Sequence, residues 1–187
     1  MITWPLIFFM AKSGMSNPAF LSVSPFPEFI DFMGSLPREK CCVRFSDFEL
    51  MDIYRLAPMI VLMDMENTSG RFKIRFVGTD VVQMYGKDNT GRYLDELDLG
   101  PDETDVLAVY DELVVRRQPH WTRDMIVKKK RPLDGREFFA YERLSYPLLR
   151  EASDQVGHIL ALLVERPVEQ VDEVLNWGPL IEPGKPE

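Results

Sequence analysis

The sequence predicts an α+β domain, an antiparallel sheet with short helices over one face, and three stretches carry that prediction. Arg71-Phe72-Lys73-Ile74-Arg75-Phe76-Val77 alternates apolar residues with cations, the period of a strand half buried on one side. Residues 101 to 117 place Val106, Leu107, Val109, Tyr110, Leu113 and Val114 at helical core spacing. Residues 121 to 130, 137 to 149 and 156 to 164 then read as three strands, the first two joined through the turn dipeptide Asp134-Gly135.

Composition bounds the class. A chain of 187 residues, 45% hydrophobic and 28% charged, has the size of one globular domain with extra sequence at its ends. At this length roughly 70% of the surface is buried on folding, so the core needs neither a disulfide framework nor a structural metal. A net charge of -8 argues against nucleic acid and anionic membrane surfaces as partners, because both are held by basic faces. The dense basic run Lys128-Lys129-Lys130-Arg131 reads as a solvated hairpin end. The two cysteines, Cys41 and Cys42, are adjacent, a spacing that disfavours a mutual bridge, and the chain is expected in a reducing cytoplasm. No stretch approaches the 18 or so apolar residues of a membrane span. Ile2 to Ala11 is apolar but contains Pro5 and lacks preceding cations, which makes it a poor signal peptide, and Met15 is an alternative initiator to Met1.

The remaining elements follow in order. Residues 1–23 show no period and are expected to be a poorly ordered lead-in to a domain spanning 24–166, with 167–187 as a C-terminal tail. After Ser24-Pro25, the residues Phe26, Phe29, Ile30 and Met33 recur at helical spacing as far as Gly34. Ser46-Asp47-Phe48-Glu49 has the form of a capping box and predicts a second short helix closed by Pro58. Met59 to Met65 reads as a strand, paired through Asn67-Thr68-Ser69-Gly70 with residues 71–77, whose Phe72, Ile74 and Phe76 are assigned to the core face. Thr79 or Asp80 caps a short helix that ends at Gly86. Strand 156–164 is apolar on both faces, so it is expected to be central and to need a cover on each side. The helix at 25–33 or a second copy of the chain would supply the outer cover, and a homodimer through that face is the expectation. Val168 to Trp177 reads as one more short helix before Pro179.

The motifs Gly78-Thr79, Thr90-Gly91-Arg92, Tyr141-Glu142-Arg143-Leu144 and Pro147-Leu148 occur in this order, and over residues 26–166 the chain resembles a family of stand-alone bacterial PAS-like proteins of uncharacterised role. The resemblance implies a PAS-like fold, a five-stranded antiparallel sheet whose concave face is roofed by helices and can hold a small ligand. It further implies a sensor or signalling module that binds a small ligand or a protein partner rather than an enzyme. It names no cofactor. PAS proteins that form flavin photoadducts carry a cysteine where this chain has Thr90-Gly91-Arg92-Tyr93, and haem-binding PAS sensors carry a histidine on the long helix, where residues 101–117 have none. With no output segment after residue 166, any signal is expected to leave through a surface contacted by another protein or a second copy.

Five residues are the candidates for ligand contact: Tyr85, Trp121, Tyr141, Arg143 and His158. The three aromatics have an apolar body and a hydrogen-bonding end, which suits a pocket wall as well as an ordinary core. Arg143 reads equally as a cross-sheet ion pair and as the cation that anchors an acidic ligand. His158, inside an apolar strand, reads as a hydrogen-bonded core histidine or as a ligand contact. The rivals from other classes are a small cavity enzyme using an acid/base pair such as His158 with a nearby carboxylate, and an interaction module with a filled core. No catalytic constellation and no metal-ligand spacing is legible in the sequence.

Overall fold

The computed structural model describes residues 17–97, 103–127, 138–166 and 176–180, with the backbone alone described at 103–105, 124–127, 138–139 and 176–178. The Lys128–Arg131 run, the Asp134-Gly135 turn and residues 168–175 of the expected tail helix lie outside them.

In chain order the elements are α1 (Phe26–Ser35), β1 (Arg38–Glu39), β2 (Cys42–Arg44), β3 (Ile60–Met65), β4 (Phe72–Val77), α2 (Thr79–Tyr85), α3 (Glu103–Arg116), β5 (His120–Val127), β6 (Phe138–Leu149), β7 (Val156–Arg166) and β8 (Asn176–Pro179). The central sheet runs β4-β3-β7-β6-β5 with every pair antiparallel, and α2 and α3 intervene between its first two strands and its last three. This is the element order expected of a PAS-like α+β fold. The sheet is larger than the five strands expected, with eight among the described residues. β8 adds antiparallel to β5, so Asn176 and Trp177, expected at the end of a tail helix, belong to a strand. The β1–β2 hairpin adds at the far end of β6, where Val43 and Arg44 pair parallel to Leu148 and Leu149.

β7 lies between β3 and β6, and its alternate residues feed two separate cores. Ile159, Ala161 and Leu163 face the helix-roofed side with Met63, Ile74, Val81, Val106, Tyr110 and Leu113. Leu160 and Leu162 face the outer side with Ile60, Leu62, Leu144 and Leu148. The outer side is covered from within the chain. α1 lays Phe26, Phe29 and Met33 on it, each fully buried, in the i, i+3, i+7 pattern that makes one helical stripe. The turn Ala19–Ser22 adds Phe20 and Leu21, the Phe20 ring meeting Phe26 edge-on at 5.1 Å and Trp121 at 5.9 Å. The domain core therefore starts inside the stretch expected to be a lead-in, and among the described residues these segments cover the outer face on which the homodimer was expected.

Residues 45–59 differ from expectation. In place of a capped α-helix, three 3₁₀ turns, Phe45–Asp47, Leu50–Ile53 and Ala57–Met59, follow one another without a side-chain cap. Phe48 between the first two has an extended backbone and is buried, as are Ile53 and Leu56. A spacing of five and then three does not form a helical stripe, so the backbone breaks between turns to drop each apolar side chain onto the sheet.

The β3–β4 register also corrects the strand reading. Leu62 opposes Phe76 but Met63 opposes Ile74, which leaves Arg75 as the extra residue of a bulge. A one-residue insertion reverses the facing of everything beyond it. Phe72 and Ile74 enter the helix-roofed core as expected, whereas Phe76 joins the outer core and Val77 takes the inner side.

α2 begins at Gly78 rather than at a Thr79 or Asp80 cap, and ends at Gly86 in the left-handed conformation (φ +68°), as expected. Gly78 is required by close approach: a Cβ there would lie 2.2 Å from the carbonyl oxygens of Ala57 and Pro58. Its N–H donates to the Ile60 carbonyl at 2.8 Å, tying the start of α2 to the first residue of β3.

Two stability outcomes follow. Ile74→Asp buries an unpaired charge and is expected to cost about 4 kcal/mol or more, whereas Lys73→Ala, on the exposed side, stays within about 0.5 kcal/mol. Gly78→Ala is expected to cost about 2 kcal/mol through backbone displacement. Urea midpoints of the three variants check these values, and equal losses for Ile74→Asp and Lys73→Ala would refute the facing of β4.

Candidate functional site

The helix-roofed core is not completely filled. Between the sheet and α2, α3 and the turn Leu94–Glu96 lies a cavity of about 40 Å³, walled by Val61, Met63 and Ile74 of β3 and β4, Val81 and Tyr85 of α2, Asn89, Leu94, Leu97, Val106 and Tyr110 of the roof, and Tyr141, Arg143 and Leu163 of β6 and β7. Most of the wall is apolar. Among the described residues the polar or amphipathic members of the wall are Tyr85, Tyr110, Tyr141, Asn89 and one cation, Arg143.

Arg143 is 3% exposed. Strand alternation puts it on the same face as Tyr141, and the antiparallel register sets Thr122 of β5 directly opposite. Its Nε–H donates to Thr122 Oγ1 at 3.0 Å and its Nη1–H to the Tyr110 hydroxyl at 2.7 Å. The guanidinium carbon lies 4.7 Å from the Tyr110 ring centre and 5.8 Å from that of Tyr141. Hydrogen bonds and ring faces together fix the cation in one orientation at the cavity wall. The Tyr85 and Tyr141 rings approach to 6.3 Å and border the same space.

The roof over Leu94 and Leu97 is tied to β4 by charge. Arg71 donates through Nε to Asp95 at 2.8 Å and through Nη2 to Glu96 at 2.9 Å, while its guanidinium stacks 3.8 Å above the Tyr93 ring. Tyr93 donates its hydroxyl proton to Glu66. That bond holds Glu66 below its ordinary range and raises the Tyr93 hydroxyl.

The five residues singled out in the sequence divide between the two faces. Tyr85, Tyr141 and Arg143 meet at the cavity. Trp121 and His158 do not. Trp121 opposes Leu144 and packs on Phe20 in the outer core. His158 opposes Asp64 on the outer face, where its Nδ1–H donates to Asp64 Oδ1 at 2.8 Å and its ring stacks on Phe45 at 4.0 Å. Arg75 reaches the same carboxylate at 3.4 Å and lies over Phe45. The histidine–carboxylate pair of the enzyme reading thus exists, but the sheet separates it from the cavity. Burial lowers the pKa of His158 despite the pull of Asp64 upward, so the ring rests neutral. Three polar wall and anchoring residues were missed in the sequence. Tyr110 sits in the apolar stripe of α3, Asn89 reads as turn chemistry, and Thr122 reveals its role only when the register sets it opposite Arg143.

Among the described residues no cluster of three or more His, Cys, Asp or Glu side chains could hold a metal ion, and no helix is long and apolar enough to cross a membrane. A flavin or haem does not fit the residues present: sites for ligands of that size are about 300–1,000 Å³, against about 40 Å³ here.

No protein-family model and no curated protein matches the chain. Solved structures do. A light-oxygen-voltage domain studied with a flavin analogue is 17% identical, with a TM-score of 0.47, over 66% of this chain and 88% of that one. A variant of Vivid is 13% identical, with a TM-score of 0.47, over 80% of this chain and 97% of that one. A PAS domain from Colwellia psychrerythraea is 16% identical, with a TM-score of 0.43, over 63% of this chain and 98% of that one. The chain's own strand order, rather than these overlaps, makes the domain PAS-like.

The two histidines set a pH dependence. Burial depresses the pKa of both His120 and His158 below the ordinary value of about 6.5. The unfolded chain therefore takes up protons first as pH falls, so this contribution is complete only well above pH 6.5 and is lost progressively as pH falls through and below that value. The melting temperature should drop between about pH 7.5 and pH 5.5, with a shallower slope in His158→Gln, which keeps a donor for Asp64. An unchanged slope in that variant would show that His158 does not titrate in this window.

Proposed function

We propose that this chain is a PAS-type sensor module whose ligand is a small acidic molecule of a few heavy atoms, held at Arg143 in the cavity beneath α2 and α3. The observation that carries the reading is a buried, rigidly oriented guanidinium in the wall of an otherwise mainly apolar cavity. Cavity size sets the ligand class. One water needs about 10–15 Å³ of such volume, so the space admits about three waters or a molecule the size of formate or acetate. The carboxylate would pair with Arg143, beside the Tyr85, Tyr110 and Tyr141 side chains of the wall. Roof elements α2, Leu94–Glu96 and α3 all border the space, so occupancy is felt by every helix over the sheet.

Thermal melts in formate, acetate, propionate and butyrate against chloride test the reading. At a hundredfold excess over Kd a ligand of the native state stabilises by about 2.7 kcal/mol, and roughly 2–4 °C in Tm per kcal/mol makes this easily visible. The gain should peak at the smaller acids and vanish in Arg143→Met. Tyr110→Phe, which keeps the ring and removes one anchor of the guanidinium, should weaken it. No carboxylate-specific shift in the wild type, or a shift that survives in a folded Arg143→Met, would refute the proposal.

A further inference from the structure

The outer layer carries a second concavity, on the opposite side of the sheet from the cavity. α1 and residues 52–56 bound a surface groove of about 380 Å³. Its floor is apolar: Ile53 and Leu56 are buried and Phe32 is half-buried, its ring edge-on to Phe48 at 6.2 Å. The turn Leu50–Ile53 and the residue after it hold Met51 76% exposed and Tyr54 59% exposed. These are two of four large apolar side chains that stand exposed among the described residues; Tyr54 lines the groove, and Met51 directly precedes the lining residue Asp52 in the chain.

The banks are acidic. Glu28 on α1 and Asp52 on the turn line the groove, Asp31 follows Glu28 on the same helical face, and Glu49 precedes the turn. None of these four carboxylates makes a side-chain hydrogen bond or ion pair among the described residues. The one cation, Arg55, is engaged by its neighbour, its Nε–H donating to the Tyr54 hydroxyl at 3.1 Å. Unspent carboxylates around an apolar floor select a cationic, apolar-anchored occupant. They disfavour a second copy, because an isologous contact sets each acidic bank against itself, and they repel anionic lipid and nucleic acid.

We propose that this groove is the docking surface for a segment of a partner protein that combines apolar anchors with flanking lysine or arginine. The placement suits an output surface whether or not the cavity takes a carboxylate. Leu56 runs directly into the turn Ala57–Met59, against which Gly78 and the start of α2 are closed, and α2 carries Val81 and Tyr85 of the cavity wall.

Fluorescence anisotropy of the full chain with two synthetic peptides of about 15 residues, leucine with lysine and leucine with glutamate at the same helical spacing, tests it. At roughly 0.15 M salt the lysine peptide should bind and the glutamate peptide should not. Glu28→Lys with Asp52→Lys should weaken binding about tenfold, Met51→Ser with Tyr54→Ser should do the same without changing charge, and Glu151→Lys, at the distant β6–β7 turn, should leave it unchanged. Melting temperatures establish that each variant is folded. Absence of lysine-peptide binding, or equal affinity in all folded variants, would overturn the assignment. So would a wild-type dimer in sedimentation that Tyr54→Ser dissociates, since the occupant would then be a second copy.

Discussion

The rest of the structure depends on burying both faces of one strand. Val156-Gly157-His158-Ile159-Leu160-Ala161-Leu162-Leu163-Val164 presents aliphatic side chains on alternating sides, and Ile159, Leu160, Ala161 and Leu162 are completely buried. A sheet centred on such a strand needs two apolar layers. The helices between β4 and β5 make one layer, and the N-terminal segments make the other. The outer layer is assembled from pieces, a turn at Ala19–Ser22, one helix and three 3₁₀ turns, because no single helix of ten residues spans the exposed face. That layer belongs to the same chain as the sheet it covers.

The two layers are unequal in what they leave open. On the helix-roofed side a cavity of about 40 Å³ remains, and among its described lining residues the one charged side chain, Arg143, is held by Thr122, Tyr110 and the tyrosine rings. On the outer side short turns cannot present a continuous surface, and the gap between α1 and the 3₁₀ turns stays as a groove with acidic banks. The two spaces differ in charge and size, a small cavity with a buried cation on one side of the sheet and a groove with acidic banks on the other. Gly78 brings the two layers into backbone contact, since the Ala57 and Pro58 carbonyls occupy the space a side chain there would need.

Arg143 illustrates how much of the site was legible in the sequence. A cation in the middle of an apolar strand was visible, and so were its strand mate Tyr141 and the aromatic Tyr85. Their convergence was not, because Tyr85 lies on a helix whose placement over the sheet is a tertiary fact. Trp121 and His158 looked equally suited to a pocket, yet period-2 alternation in a sheet covered on both sides sends each to the outer face. When both faces are apolar the pattern alone does not say which face is which.

The sequence by itself determined the strands, the long helix and their order, since these follow from local periodicity, from turn chemistry such as Gly70 and Gly86, and from the resemblance carried by residues 26–166. It determined that β7 is central, because two apolar faces demand two covers. Only the tertiary structure decided the rest. The bulge at Arg75 that turns Phe76 outward depends on pairing with β3, and the peripheral strands β1, β2 and β8 are too short to carry a period of their own. The 3₁₀ turns replaced the helix announced at Ser46 because burying Phe48, Ile53 and Leu56 on the sheet outweighs a local capping preference worth only about 1 kcal/mol.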